Sequence, residues 1–277
     1  MLEVSLDVRF ERFFSVDSPK AIKAAKFGYL NAINYMAPYD SAGVGNLCPD
    51  ATEGCRNLCL GRESGQAAMV SRATGTNGVR DSRERKARYF MAERQSFMAE
   101  MLLHVARNAR LAQRLGLTLA VRPNGSTDVA WEGIRLFVTP EFAAQLSRIS
   151  GLAVTSGLHS LFTAFPTIQF LDYTKSARRM KRQLPANYDL TFSRSETNEA
   201  DCLEVLASGR NVAIVFGGGL PATWRGYPVI NGDEHDLRHL DPRGVVVGLT
   251  PKGLKAKRDT SGFVLRGWEG DALQLAA

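Results

Sequence analysis

Cysteine is scarce in this chain, with four residues among 277. That is too few for the disulfide framework of a small secreted domain, so the fold must rest on a packed core. A chain of this length can build such a core without covalent staples. Long apolar runs are missing too, and no stretch reaches the roughly 18–20 residues that a membrane-spanning helix needs. Low-complexity tracts, Pro/Ser-rich linkers and internal repeats do not occur. With no signal for a boundary, the expectation is a single domain over 1–277 with its core at 27–264. Two catalytic signatures are also missing. The glycine run GGGLP (217–221) lacks the Gly-Lys-Ser/Thr of a phosphate loop and reads as a tight turn. A Gly-x-Ser-x-Gly elbow is absent, and no Ser–His–Asp order stands out.

What is present has globular proportions, 44% hydrophobic and 23% charged, which excludes a disordered or collagen-like chain. The 35 Lys+Arg outnumber the 28 Asp+Glu, giving a formal charge of +7 and a pI near 9.4. An acidic partner is therefore expected, with a nucleotide or nucleic acid first and no membrane. The opening MLEVSLDVRFERFF alternates apolar and polar residues, so it reads as an N-terminal strand rather than a signal peptide, and the expected location is cytoplasmic.

Along the chain, Phe27–Met36 reads as a first strand and MAPYDSAGVGN as the loop after it. From Val79 to Leu115 the apolar positions Met98, Met101, Leu102, Val105, Ala109 and Ala112 fall at helical spacing, with Gly116 as the cap. RDSRERKAR at its start reads as a solvated face. A rhythm follows. LTLAVR (117–122), IQFLDY (168–173), YDLTFS (188–193), NVAIVF (211–216) and GVVVGL (244–249) read as strands, with helical candidates between them up to about Phe165 and again over 196–208. Six strands alternating with helices imply an α/β fold with parallel strands and crossover helices. Polar clusters follow the strands: Arg122, Asn124, Ser126 and Asp128; Asp172, Tyr173 and Lys175; Ser193, Ser195 and Glu196; and Asp233, His235 and Asp236. Whether the sheet is open or closed, its strand ends share one rim, so these clusters should converge there. Arg122 and Lys175 would neutralise the carboxylates in the free protein and switch to a substrate phosphate. The same residue types also serve as turn formers and helix caps.

The strongest chemical signal is NLCPDATEGCRNLCLG, which sets Cys48, Cys55 and Cys59 in the pattern C-x6-C-x3-C. Three thiolates on one short loop can reach a common metal centre. With a distant histidine such as His235 they suit structural zinc, and with one position left open they suit an iron–sulfur cluster. Cys202 lies inside the helix predicted over 196–208 and reads as a buried small hydrophobe. Asp128, Asp172, Glu196 and Asp233 suggest a separate reading, a divalent-metal site for phosphodiester hydrolysis. His235 and His239 lie in a loop, and the basic run TPKGLKAKRD after the last strand is either a phosphate clamp or a solvated loop.

The ordered segments NLCPDATEGCRNLCLG, VRPNGSTDVAWE, FLDYTK, NYDLTFSRSE, NVAIVF, VINGDEHDLRHLDPRGVVVGL and DTSGFV resemble the phage and mobile-element family called gene product 88 over roughly Phe27 to Val264. That family brings no established activity. More distantly, the cysteine loop after a first strand resembles radical SAM-like phage proteins. This second resemblance implies a partial (β/α)6 TIM-like barrel, a [4Fe-4S] cluster on Cys48, Cys55 and Cys59, and S-adenosylmethionine held by Asn124, Ser126 and Ser193. Asp128, Asp172, Lys175 and Glu196 would be its catalytic groups. The loop departs from that pattern in its wider gaps, in Leu58 before the last cysteine and in NGSTD where a GGE run would stand. The sequence thus leads to an iron–sulfur enzyme acting on a nucleotide or nucleic acid. A nucleic-acid-binding protein with structural zinc, or a metal phosphodiesterase, stands as the alternative.

Overall fold

The computed structural model describes residues 8–267. Ten strands follow in chain order: β1 (Tyr29–Ile33), β2 (Thr118–Arg122), β3 (Leu136–Val138), β4 (Gly157–His159), β5 (Gln169–Thr174), β6 (Tyr188–Ser193), β7 (Val212–Val215), β8 (Thr223–Trp224), β9 (Tyr227–Asn231) and β10 (Val246–Leu249). Eight form one sheet in the order β1-β2-β5-β6-β7-β10-β9-β8, and β3 and β4 make a separate antiparallel ribbon. Every pairing from β1 to β9 in that order is parallel, and only β8 runs the other way. The six strands expected from the sequence thus lie side by side in chain order, and β9 and β8 extend them. At one edge β1 receives only an isolated bridge from Ser15, and at the other β8 neighbours β9 alone. Among the described residues the sheet does not close into a barrel.

Registers fix which side chains share a face, because partners across a parallel pair point the same way. Leu30, Ala32, Leu119, Val121, Phe170, Leu190, Phe192, Val212, Ile214 and Val246 lie on one face, in the main core. Helices Arg94–Arg114 and Pro140–Ser150 pack into that core, burying Met98, Met101, Leu102, Val105, Phe142 and Leu146. The opposite face presents Tyr29, Asn31, Ala120, Arg122, Leu171, Tyr173, Asp189 and Thr191. Ala24 and Leu237 cover part of it, packing with Ala120 and Leu171.

Several sequence expectations need correction. Residues 8–14 of the expected N-terminal strand are not a strand, and 1–7 lie outside the described residues. Phe13 and Phe14 are buried instead, Phe13 with its ring centre 4.9 Å from that of Phe97, so the apolar half of the alternation fills the core without a sheet partner. The helix from Val79 to Leu115 is two helices, Gly78–Ala92 and Arg94–Arg114, broken at Glu93. Helix was expected up to Phe165, yet β3 and β4 lie there; three-residue strands are too short to show a period. The β8–β9 hairpin was not among the expected strands, and it carries Pro228, which cannot donate to a sheet, in an edge-side strand. Arg225 and Gly226 have φ of 49° and 82°, the left-handed pair that a two-residue hairpin turn requires. Helix Glu199–Ala207 buries Cys202 completely, as expected. Among the described residues no helix is long and apolar enough to cross a membrane.

Lys86 is not on a solvated face. Its ammonium donates to the Phe13 carbonyl and to Asn34 Oδ1 at 3.4 Å, beneath the rings of Phe10 and Phe13. Burial pushes its pKa down to about 7, although Glu100 pulls it the other way. The unfolded chain takes up this proton near the ordinary 10.5, whereas the folded chain holds out to about 7. Stability that is complete at high pH is therefore lost as pH falls through that window. The urea midpoint should rise between about pH 7.5 and about pH 9.5, and Lys86→Met should flatten the rise. An unchanged slope in the variant would show that Lys86 titrates normally.

Candidate functional site at the carboxyl ends of the strands

The cysteine loop is zipped to the loop after β2 along its length. Asn34 N–H donates to Arg122 O at 2.9 Å, Ser126 Oγ to Met36 O at 2.6 Å, and Asp128 N–H to Leu47 O at 2.8 Å. Cys48 Sγ receives the Tyr39 N–H at 3.3 Å and lies 3.8 Å from Ser126 O. Thr52 caps the short helix Glu53–Asn57 that carries Cys55, accepting the Cys55 N–H. Cys59 begins the next turn, Leu60–Glu63. Gly61 sits so close to the β2 loop that a Cβ would lie 2.8 Å from Ser126 Cβ, so only glycine permits this approach.

Glu196 reaches the same loop from the end of β6. One carboxylate oxygen accepts the Thr52 hydroxyl and the other the Gly54 N–H, both at 2.8 Å. A Cβ on Gly54 would meet Glu196 Oε2 and Ser261 Oγ, each at 2.8 Å, so the helix is wedged between β6 and the closing segment. Beside it, Leu58 packs with Ala256 and Val264, against which Val215 and Phe263 rest.

The other expected site residues do converge on this end, although most are committed to protein partners. Asp128 accepts from Thr174 Oγ1 at 3.1 Å, Lys175 N–H at 2.8 Å and Arg179 Nη1 at 2.6 Å. Asp172 lies on the helix-covered face, fully buried, and accepts from Asn124 N–H at 2.7 Å, Asn124 Nδ2 at 2.9 Å and the Tyr188 hydroxyl at 3.0 Å. Burial raises its pKa to about 7 against the pull of Arg122 and the Asn124 N–H. Asn124 Oδ1 in turn accepts from Thr127, Val129 and Trp131, so this side chain is a pillar of its loop. Arg122 pairs with Asp236 at 2.6 Å and lies over the Tyr173 ring. Asp233 holds Thr250 and Lys252, and His235 lies 3.9 Å from Asp241. Lys175 donates to Ser193 Oγ at 2.7 Å, on the opposite face of the sheet from Asp172.

Two contributors had escaped the sequence. Arg179 looked like one more charge in TKSARRMKR, yet its guanidinium is buried and binds Asp128, Glu132 and Tyr188. Phe263 was visible only as part of DTSGFV.

The three thiols are free. Burial pushes Cys48 up to about 12 and Cys59 up to about 11. Backbone N–H groups counter this, from Tyr39 at Cys48 and from Gly61 and Arg62 at Cys59, and the three thiols act electrostatically on one another. Backbone donors aimed at sulfur are what a thiolate ligand needs. One ion bound at 2.3 Å from each sulfur requires thiolates within about 3.8 Å of one another. Among the described residues, no three His, Cys, Asp or Glu gather to hold one ion. A cluster spreads its ligands over several irons and accepts a wider set.

A family model described as Gene product 88 matches residues 13–267. No curated protein and no solved structure matches the chain, so the distant likeness to radical SAM proteins has no support from these comparisons.

Removing the Glu196 latch leaves the Gly54 N–H unpaired. Glu196→Ala should destabilise the protein by about 2 kcal/mol and speed amide hydrogen exchange over residues 53–58. Unaltered exchange there would show that the loop stands without Glu196. Cys202→Ala should cost on the order of 1 kcal/mol and leave exchange in the cysteine loop as it was.

Proposed function

This chain belongs to the gene product 88 family, whose description names no reaction, and from the chemistry of the site we propose that it is an iron–sulfur enzyme acting on a nucleotide or nucleic acid. Cys48, Cys55 and Cys59 are the proposed cluster ligands. One observation carries the reading. Three free thiols lie on one short loop fixed at the strand ends, and Cys48 and Cys59 are supplied with backbone N–H donors.

A cluster held by three thiolates supplies an iron with an open position and electrons for a ligand bound there; S-adenosylmethionine is the co-substrate proposed for that position. The chain's own residues do the rest. Glu196 and Thr52 fix the helix that carries Cys55. Leu58, Ala256 and Val264 keep water from that side of the loop. Asp128 and Asp172 hold the β2 and β5 loops in register and act as positioning groups, while Lys175 and Ser193 face the ligand side. The excess of basic residues supports the nucleotide or nucleic-acid substrate.

Protein purified without oxygen should be brown, with broad visible absorbance and several irons per chain. Serine at Cys48, Cys55 or Cys59 should abolish the colour, and Cys202→Ala should keep it. Colourless protein carrying one zinc per chain would overturn the reading.

A further inference from the structure

The closing motif DTSGFV (259–264) is folded tightly on itself. Asp259 accepts the Ser261 N–H at 3.0 Å, the Ser261 hydroxyl at 2.7 Å and the Val264 N–H at 2.8 Å. Arg194 Nη1 donates to Gly262 O at 2.9 Å. The motif thereby sets the Phe263 ring against the small apolar cluster that includes Leu58, next to Cys59. Lys175 reaches this ring from the end of β5, with its ammonium 5.1 Å from the ring centre and 2.7 Å from Ser193 Oγ.

Both partners of that ammonium are neutral. Four other cations at the same end of the sheet have a carboxylate: Arg122 has Asp236, Arg179 has Asp128, Lys252 has Asp233, and Lys255 has Glu63. Arg83 instead donates to Gly61 O and lies over the Tyr35 ring. Lys175 has none among the described residues. Its backbone N–H holds Asp128, but that carboxylate is spent on Thr174 and Arg179. A half-buried charge with only a hydroxyl and a ring to face has lost water without gaining an ion pair.

We infer that Lys175 is the receptor for an anionic group, phosphate or carboxylate, on the ligand of this site. The inference rests on the strand-end site being a ligand site and is independent of which metal the cysteines hold. In the free chain the ammonium is parked on Phe263 and Ser193. A charge-assisted bond to an anion is stronger than either contact, so the ligand draws the ammonium off and uncovers the ring. Phe263 and Leu58 then offer the ligand an apolar wall between Lys175 and the cysteine loop.

Calorimetry on oxygen-free protein tests this with three probes: adenosine monophosphate, S-adenosylhomocysteine and uncharged adenosine. Iron is measured on the same samples. At least one anionic probe should bind the wild type, bind Lys175→Met about tenfold more weakly or worse, and regain most of that loss in Lys175→Arg. Adenosine should not distinguish the variants. A Lys175-dependent monophosphate assigns a phosphate ligand, and Lys175-dependent S-adenosylhomocysteine assigns a carboxylate. Equal binding by wild type and Lys175→Met, or no binding of either anion to the wild type, would overturn the inference. Lys175-dependent binding to iron-free, zinc-loaded protein would sink the cluster and leave this inference standing.

Discussion

An arginine that keeps only 4% of its surface in contact with solvent has to have its charge matched, and Arg179 is matched by two carboxylates and a phenol. Asp128 joins it to the β2 loop and to the Lys175 N–H, and Tyr188 joins it to Asp172 and so to Asn124. Asn124 holds Thr127, Val129 and Trp131. One buried charge thus ties Asp128, Glu132, Asp172 and Asn124 of the β2 and β5 ends into one network. Removing either partner of such a pair costs about 3–5 kcal/mol, because the other is left unpaired in a low dielectric.

This network changes what the carboxylates mean. Three acidic residues at the strand ends look, in sequence, like a catalytic set. In the fold Asp128, Asp172 and Glu196 each have their acceptor capacity committed to loop backbone, hydroxyl groups or Arg179. Asp128 and Asp172 each accept three donors and Glu196 two, bonds that favour the charged form, although burial outweighs them at Asp172 and raises its pKa to about 7. The thiols, the Lys175 ammonium and the Ser193 hydroxyl take no part in this network. The acids thus act as staples, and the proposed chemistry is left to the thiols and the Lys175 cation.

How far the sequence discloses this depends on the range of each interaction. The six parallel strands were legible because LTLAVR or NVAIVF is buried on both faces and so runs nearly unbroken in apolar residues. The cysteine loop was legible because its three residues lie within one short segment. Glu196 on Gly54 was not, since a contact between residues 142 apart leaves no mark on local spacing. Arg179 was illegible for the opposite reason: its neighbours Arg178 and Arg182 are exposed, and nothing in TKSARRMKR says which arginine turns inward. The short ribbon of β3 and β4 carries too few residues to express alternation.

Charge ties the loop to its surroundings. With burial holding Cys48 up to about 12 and Cys59 up to about 11, both enter the fold as neutral thiols and impose no unpaired anion on it. The proposed ligation would place negative charge at the strand ends, where Arg83 already acts on Cys59 and donates to Gly61 O. Arg83 itself is held below its ordinary value by burial, so new negative charge beside it would relieve a cost already present in the free chain. The proposed ligand role would therefore set thiolate charge against a guanidinium that burial already disfavours.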